Sequence, residues 1–400
     1  MRILIVTEVF APGLGGVPMF IERLANQLSL AGDEVMVLTD TASLHVRTQK
    51  SVLPSGVKLV RVPAVASVFN RGNNRMSYNP WRAVTRALDE MHPDCIHMHT
   101  PAGLLHKIVL KQARRRNIPV VITNHVMPEN LTMNLPAFLG TYMSRKVHQV
   151  TTAFINRTDY LIAPTQTALD LLGDDITIPK QAITNGIDAT VYCPGSVDVA
   201  TLKKFRINEQ RRTVLYTGRL DGEKRVDILI HAFSEVQRVR GDVQLVIVGT
   251  GLLDRELRAL AAQLNIADSV VFTGRVSDDE KICLLRFATL FVMPSPAELQ
   301  CISALEALAT GLPIVVADQA ALLELVRAGK NGYMFSYPDA KDCARAIARL
   351  LATPIPKALL EENGRQWIIN NHDQAITIRQ HQAVYRSLVS GSATVSPPIV

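Results

Sequence analysis

Residues 295–316 read SPAELQCISALEALATGLPIVV and follow the apolar run Leu290-Phe-Val-Met293. Two short continuous apolar runs, 290–293 and 313–316, enclose a segment of helix length, which predicts parallel strands covered on both faces. Glu298 then falls in the loop after the first strand. Glu306 lies eight positions on, about one turn into a helix that begins near Ile302. Both carboxylates can point into one pocket, and carboxylate oxygens accept hydrogen bonds from sugar hydroxyls. The amides of Cys301, Ile302 and Ser303 lie between them, exposed at a helix start and suited to a pyrophosphate. The plainer alternative is a helix with one solvated and one capping glutamate.

Working outward, the same alternation fills the chain. The second half offers strands at Thr213–Tyr216, Leu245–Val248 and Val270–Phe272 besides the two above. The first half offers Ile3–Val6, Glu34–Leu38, Val57–Val60, Cys95–Met98, Val120–Ile122 and Tyr160–Ile162. A helix over Pro18–Ala31 joins the first two, with Phe20, Leu24 and Leu28 on one face and Gly32 at its end. The fold class expected is α/β, with two Rossmann-like domains whose parallel sheets face a cleft between them. The turn-rich stretch Cys193-Pro-Gly-Ser-Val197 sets the boundary near residue 195, giving domains 1–195 and 196–365. A helical segment over 366–388 is expected to pack back toward the first domain, and 389–400 to be a disordered tail.

Composition narrows the class. With 400 residues, 48% apolar and 20% charged, the chain has the make-up of a two-domain globular protein. No apolar run approaches the roughly 18–20 residues of a membrane span. The five cysteines are scattered without a Cys-x-x-Cys pair, which favours a reducing cytoplasm over a disulfide framework. Residues 1–195 hold 19 Lys and Arg against 14 Asp and Glu, and the remainder 24 against 22, so the net +7 is mostly in the first half. The expected partners of that half are anionic, a phosphate compound or a membrane surface, although a solvated basic face fits as well. No nucleic-acid partner is expected.

Several further groups sit where a parallel sheet places its ligands, just after strands. Pro12-Gly-Leu-Gly-Gly16 follows the first strand and runs into a helix, but its spacing is not the dinucleotide fingerprint. Arg219 and Lys224 follow the strand ending at Tyr216, two cations aimed at one place. His97-x-His99, with His106 nearby, has the spacing of two ligands on one strand face, but no third metal ligand follows; core or cleft histidines are expected, with His99 facing the acceptor. Lys107, Lys111, Arg114, Arg115 and Arg116 lie beside Ile108, Val109 and Leu110 on one helix. That mixture, repeated in Phe138–Lys146, suits binding at an anionic membrane surface, or else two amphipathic helices with buried apolar sides.

The Glu-x7-Glu element with its Ala-Leu-Ala-Thr-Gly-Leu-Pro-Ile-Val-Val sequel resembles the signature of the GT-B retaining glycosyltransferases of glycosyltransferase family four. Gly15-Gly16, Asn124-His125, Asn185-Gly-Ile-Asp188, Gly218-Arg219 with Lys224, Val248-Gly-Thr-Gly251 and Phe272-Thr-Gly-Arg275 fit that pattern in order, from residue 1 to about 385. The resemblance implies a nucleotide-sugar donor whose pyrophosphate is held by Arg219 and Lys224. It implies Glu298 on the donor sugar, Glu306 on the ribose, and His125 beside the reacting centre. Gly15, Gly16, Gly218 and Gly249 would approach the phosphates, with the amides of Cys301, Ile302 and Ser303, and Val276 would line the base pocket. It further implies retention of anomeric configuration. Many members carry Gly where this chain has Cys301. The sequence contains no Asp-x-Asp, so no metal and no other cofactor is expected. The acceptor expected is a membrane lipid or glycolipid, reached by a cytoplasmic protein peripheral to the inner membrane face. The alternatives are a soluble sugar or metabolite acceptor, a nucleotide-sugar 2-epimerase on the same fold, and a non-catalytic binding protein.

Overall fold

The structure, a computed structural model, describes all residues except 9, 11–15, 41–48, 67–74, 78, 100–102, 126–136, 328 and 392–400. The chain forms two compact units, one of residues 1–184 and 377–400, the other of residues 185–376. The sequence placed this boundary near 195. It falls earlier because Ile187 already pairs with residues of the second unit: its amide donates to the His372 carbonyl at 2.8 Å, and its own carbonyl accepts from Gln374 at 2.8 Å. The expected tail 389–400 lies mostly outside the described residues.

The first unit is built on β1 (Arg2–Thr7), β2 (Glu34–Asp40), β3 (Gln49–Val52), β4 (Lys58–Val62), β7 (Cys95–His99), β8 (Val120–Thr123), β9 (Tyr160–Ala163) and β10 (Lys180–Ala182), with a separate ribbon of β5 (Ala64–Ala66) and β6 (Arg75–Ser77). The sheet order is β10-β9-β8-β7-β1-β2-β4-β3, parallel except where β3 meets β4. β7 and β8 are buried along their whole length, as strands covered on both faces must be. Helix Gly16–Leu30 buries Phe20, Ile21, Leu24, Ala25 and Leu28. Helix Gln374–Ser390 adds Ile378, Val384 and Tyr385 to the same core. The backward packing expected of 366–388 therefore holds only from Thr377 onward, since residues up to Ile376 belong to the second unit.

The second unit carries six parallel strands, β11 (Arg212–Thr217), β12 (Val243–Val248), β13 (Val270–Gly274), β14 (Leu290–Met293), β15 (Ile314–Ala317) and β16 (Gly332–Phe335). Their order is β13-β12-β11-β14-β15-β16. Chain order reverses between β11 and β14, and that switch point is where an open parallel sheet leaves a crevice at its carboxyl edge. The loops after these two strands hold Gly218–Lys224 and Ser295–Cys301. No helix among the described residues is long and apolar enough to cross a membrane.

Candidate functional site

At the carboxyl edge of the second sheet, backbone crowding dictates glycine. Gly249 has φ +136°, and a Cβ there would stand 1.9 Å from the Gly218 carbonyl oxygen. A Cβ on Gly218 would meet the Tyr216 hydroxyl at 2.6 Å. That hydroxyl, on a fully buried ring, donates to the Arg219 carbonyl at 2.8 Å and so fixes the start of the loop. Ser295 fixes the other side, its Oγ donating to the Glu223 carbonyl at 3.1 Å.

Between these anchors Lys224 Nζ lies 2.6 Å from Glu298 Oε1, with side chains only 17% and 9% exposed. Burial alone would push the Lys224 ammonium down, but the Glu298 charge and hydrogen bond outweigh it and hold the group above its ordinary range. The Glu298 carbonyl in turn accepts from the Ala321 amide at 3.1 Å. Arg219 does not join this pair. It is half-exposed and bonded to Asp221 and Glu223.

Glu306 sits in helix Ile302–Ala309 and is buried. Its Oε1 lies 2.8 Å from Nζ of Lys281, which also stands 5.0 Å from the Tyr192 ring centre. Sequence reasoning missed Lys281, which lies 25 residues before its partner on helix Asp278–Phe287. The two glutamates are thus each matched with a separate lysine. Cys301 stands at the helix N-cap with φ −85° and its side chain caps no backbone amide of the first turn. That angle suits any residue, so the cysteine leaves the backbone course undisturbed. The first-turn amides of Ile302 and Ser303 have no preceding helical carbonyl to bond. Val276 is half-buried against the core of this unit. The structure therefore brings Gly218, Gly249, Lys224, Glu298, Cys301, Ile302, Ser303 and Glu306 to one sheet edge, with Arg219 at its rim.

The remaining predicted residues belong to the first unit. Gly15 lies outside the described residues, and Gly16 opens helix Gly16–Leu30. His125 follows β8, edge-on to Phe20 with ring centres 5.5 Å apart, and its Nε2 is 3.1 Å from His99 Nδ1. His99 is fully buried and so lines no surface, contrary to expectation. His97 is engaged on both nitrogens, with the Tyr385 hydroxyl 2.6 Å from Nδ1 and Thr123 Oγ1 2.7 Å from Nε2. His106 donates from Nε2 to the His99 carbonyl at 3.1 Å, and His381 from Nδ1 to the Thr377 carbonyl at 2.8 Å. Burial, reinforced by neighbouring histidines, pushes His97 and His99 well down and His125 to about 3; burial alone takes His381 to about 4. These are neutral imidazoles at physiological pH. Among the described residues no group of three or more His, Cys, Asp or Glu is disposed to hold a metal ion.

Helix Leu104–Arg116 carries the basic cluster with its apolar side in the core, Leu105, Val109 and Leu110 being buried. Arg114 and Arg116 are already paired, with Asp159 at 2.8 Å and Asp89 at 2.9 Å.

Two α/β units, each built on a largely parallel sheet, are the arrangement of GT-B glycosyltransferases, and the comparisons agree. The family described as glycosyl transferases group 1 matches residues 200–367, and glycosyltransferase family 4 matches residues 14–191. The chain is 28% identical over 362 residues to the alpha-monoglucosyldiacylglycerol synthase of Streptococcus pneumoniae, covering 88% of this chain and 79% of that one. It is 27% identical over 365 residues to a GDP-mannose-dependent alpha-(1-6)-phosphatidylinositol dimannoside mannosyltransferase of Mycobacterium tuberculosis, covering 88% of each. The fold matches a sucrose-phosphate synthase of Thermosynechococcus elongatus with a TM-score of 0.80 at 19% identity, over 98% of this chain and all of that one. The protein belongs to the family 4 glycosyltransferases, enzymes that transfer a sugar from a nucleotide-sugar donor.

Proposed function

We propose that the protein moves a hexosyl group from a nucleoside diphosphate sugar to a lipid or glycolipid at the cytoplasmic membrane face, retaining anomeric configuration and needing no metal ion. The observation that carries this is the pair of buried, lysine-matched carboxylates at the switch point of the second sheet, Lys224–Glu298 and Lys281–Glu306.

In this reading Glu298 holds donor-sugar hydroxyls and Glu306 the ribose. Lys224 spends one of its three N–H groups on Glu298, leaving the others for a phosphate oxygen. As the glycosidic bond breaks, the nucleoside diphosphate takes the electron pair while the sugar becomes oxocarbenium-like. Lys224, Arg219 and the amides of Cys301, Ile302 and Ser303 meet the developing negative charge, each donor contributing roughly 3–4 kcal/mol. Gly15, Gly16, Gly218 and Gly249 let the backbone approach the phosphates, Val276 lines the base, and His125 stands beside the reacting sugar. The acceptor hydroxyl attacks the anomeric carbon from the same face as the leaving group, its oxygen forming the new glycosidic bond while its proton passes to the departing phosphate oxygen. Two relatives whose names carry a glucosyldiacylglycerol and a phosphatidylinositol dimannoside support a lipid acceptor, as does the basic helix Leu104–Arg116 for an anionic surface.

The test supplies GDP-mannose or UDP-glucose with vesicles containing diacylglycerol or phosphatidylinositol, in EDTA. The expected product is a glycolipid with the donor's anomeric configuration by NMR. An inverted product, a magnesium requirement, or transfer confined to soluble sugars would each refute the corresponding part. Epimerised donor without transfer would refute the whole.

A further inference from the structure

Five residues, Leu110, Lys111, Arg114, Arg115 and Arg157, line a solvent-open hollow of about 330 Å³ on the first unit. Four are cationic, and among the described residues only one of the four has an opposite charge beside it. Arg114 pairs with Asp159 at 2.8 Å and also donates to the Arg157 carbonyl at 2.7 Å, which ties the loop after helix Ala137–Ile155 to the basic helix. Lys111 and Arg115 instead lie over the Trp81 ring, each 5.6 Å from its centre. Among the described residues no carboxylate lies within ion-pair distance of Lys111, Arg115 or Arg157.

Bare convergence of cations has a bland explanation here, because Arg114 and Arg115 stand in the last turn of their helix, where positive side chains complement its dipole. The magnitudes decide against it. The dipole end is equivalent to about half a negative charge, whereas three cations around the hollow lack a partner. An excess of about two and a half positive charges is left, held close together in spite of mutual repulsion. An aromatic face can orient two of them, each contact contributing about 0.5–1 kcal/mol at an exposed site, but it cannot neutralise them. An anion with several oxygens can. Arginine forks onto two phosphate oxygens at once while lysine supplies a compact charge, and both types face this hollow.

We infer that the hollow formed by Lys111, Arg115 and Arg157 beside Trp81 is a binding site for a phosphate ester. It is distinct from the nucleotide-binding edge, which lies in the other unit. The inference goes beyond diffuse attraction of a basic helix to a membrane, since a discrete hollow would take a soluble phosphate ester as readily as a lipid headgroup.

The experiment compares the full chain with two triple variants. One, Lys111→Gln/Arg115→Gln/Arg157→Gln, empties the hollow of its unpaired cations. The other, Lys203→Gln/Arg255→Gln/Lys341→Gln, removes as much charge from exposed positions of the second unit. Glycerol 3-phosphate is titrated against the melting temperature, which rises by mass action if the native state binds it. Flotation is measured with phosphatidylcholine vesicles containing phosphatidic acid. Far-UV circular dichroism and the ligand-free melting temperature of each variant serve as the folding control, and nucleotide-sugar binding reports separately on the donor site. Loss of the glycerol 3-phosphate shift in the hollow variant alone, with affinity at least tenfold weaker, assigns the site to free phosphate esters. Loss of flotation in that variant alone, without a soluble effect, assigns it to a lipid headgroup. Equal behaviour of the two triples in both assays, or no binding of either probe by the unmodified protein, overturns the inference.

Discussion

Replacing Lys224 by Met tests the arrangement at the switch point most directly, because the ion pair it breaks is buried. At 2.6 Å, with an effective dielectric of about 20, Lys224 and Glu298 attract each other by roughly 6 kcal/mol. Desolvation of the two ions costs several kcal/mol each, so the intact pair contributes little net stability. Truncation is another matter. It keeps the desolvation cost of Glu298, 9% exposed, and removes the charge that offset it, a loss of about 3–5 kcal/mol. In a unit of this size each kcal/mol shifts the melting temperature by roughly 2–4 °C. The second unit should therefore melt about 6–20 °C lower in Lys224→Met. Glu298→Gln in the same background should recover much of that loss, and the double-mutant cycle isolates the coupling. The pH dependence has a definite sign. The folded-state pKa of Lys224 lies above its unfolded value of 10.5, so its contribution is full below pH 10.5 and fades as pH rises through the folded value. Calorimetry of the wild type, both singles and the double at pH 7 is the assay. A Lys224→Met variant within about 0.5 kcal/mol of wild type would refute the claim that breaking this buried pair leaves Glu298 uncompensated.

Arg219→Ala should lower turnover by about two to three powers of ten with little change in melting temperature, since the guanidinium is half-exposed; initial rates beside a thermal melt decide it. Lys281→Met should weaken nucleotide binding about tenfold or more, because Glu306 then loses the charge that offsets its burial; calorimetric titration with the nucleoside diphosphate checks it. Acid should act on the first unit. His125 and His381, with folded pKa values of about 3 and 4, stabilise it fully above pH 6.5, and that contribution is lost as pH falls toward those values. Hydrogen exchange at pH 7 and pH 5 should show the core around Tyr385 opening before that around Tyr216, and the reverse order would contradict it.

The central strands of both sheets were legible because burial on both faces imposes continuous Val, Ile and Leu, a pattern that survives without tertiary context. Of the edge strands, β13 was legible from Val270-Val-Phe272, but β10, β3 and β16 were not. β10 reads Lys-Gln-Ala and β3 Gln-Lys-Ser-Val, polar because one side of the backbone is unpaired. β16 opens with Gly332, where a Cβ would stand 2.1 Å from the Ile314 carbonyl oxygen, so close approach rather than β propensity selects its residues. Lys281 escaped for a different reason. The local pattern around it is that of a helix start, with the Ser277–Glu280 capping box, and only the fold brings it to Glu306. His97 and His99 carried a real signal, two on one strand face, but it reported a buried histidine cluster. Their neutral state comes from burial, which spacing does not encode.

The charge balance at the switch point bears on how a donor is admitted. Glu298 and Glu306 bring two negative charges, Lys224 and Lys281 two positive ones, so the buried part of the site is neutral before any ligand arrives. In the proposed binding mode a nucleoside diphosphate sugar adds roughly two further negative charges, and although Lys224 keeps N–H groups for a phosphate oxygen, the charges of both buried lysines are already offset by the glutamates. The helix amides supply only about half a positive charge. The balance must come from the rim, where half-exposed Arg219 is held by Asp221 and Glu223. Asp221 also accepts the Leu252 amide at 2.9 Å, so it keeps a partner if the arginine leaves. Arg219 is half-exposed while its partners Asp221 and Glu223 are 16% and 17% exposed, so its two ion pairs are partly screened by water and yield to a pyrophosphate more readily than a pair buried on both sides. A buried lysine could not make that exchange as cheaply. The division of labour follows from exposure: Lys224 and Lys281 keep the carboxylates charged and in place, and Arg219 remains available to move onto the phosphates.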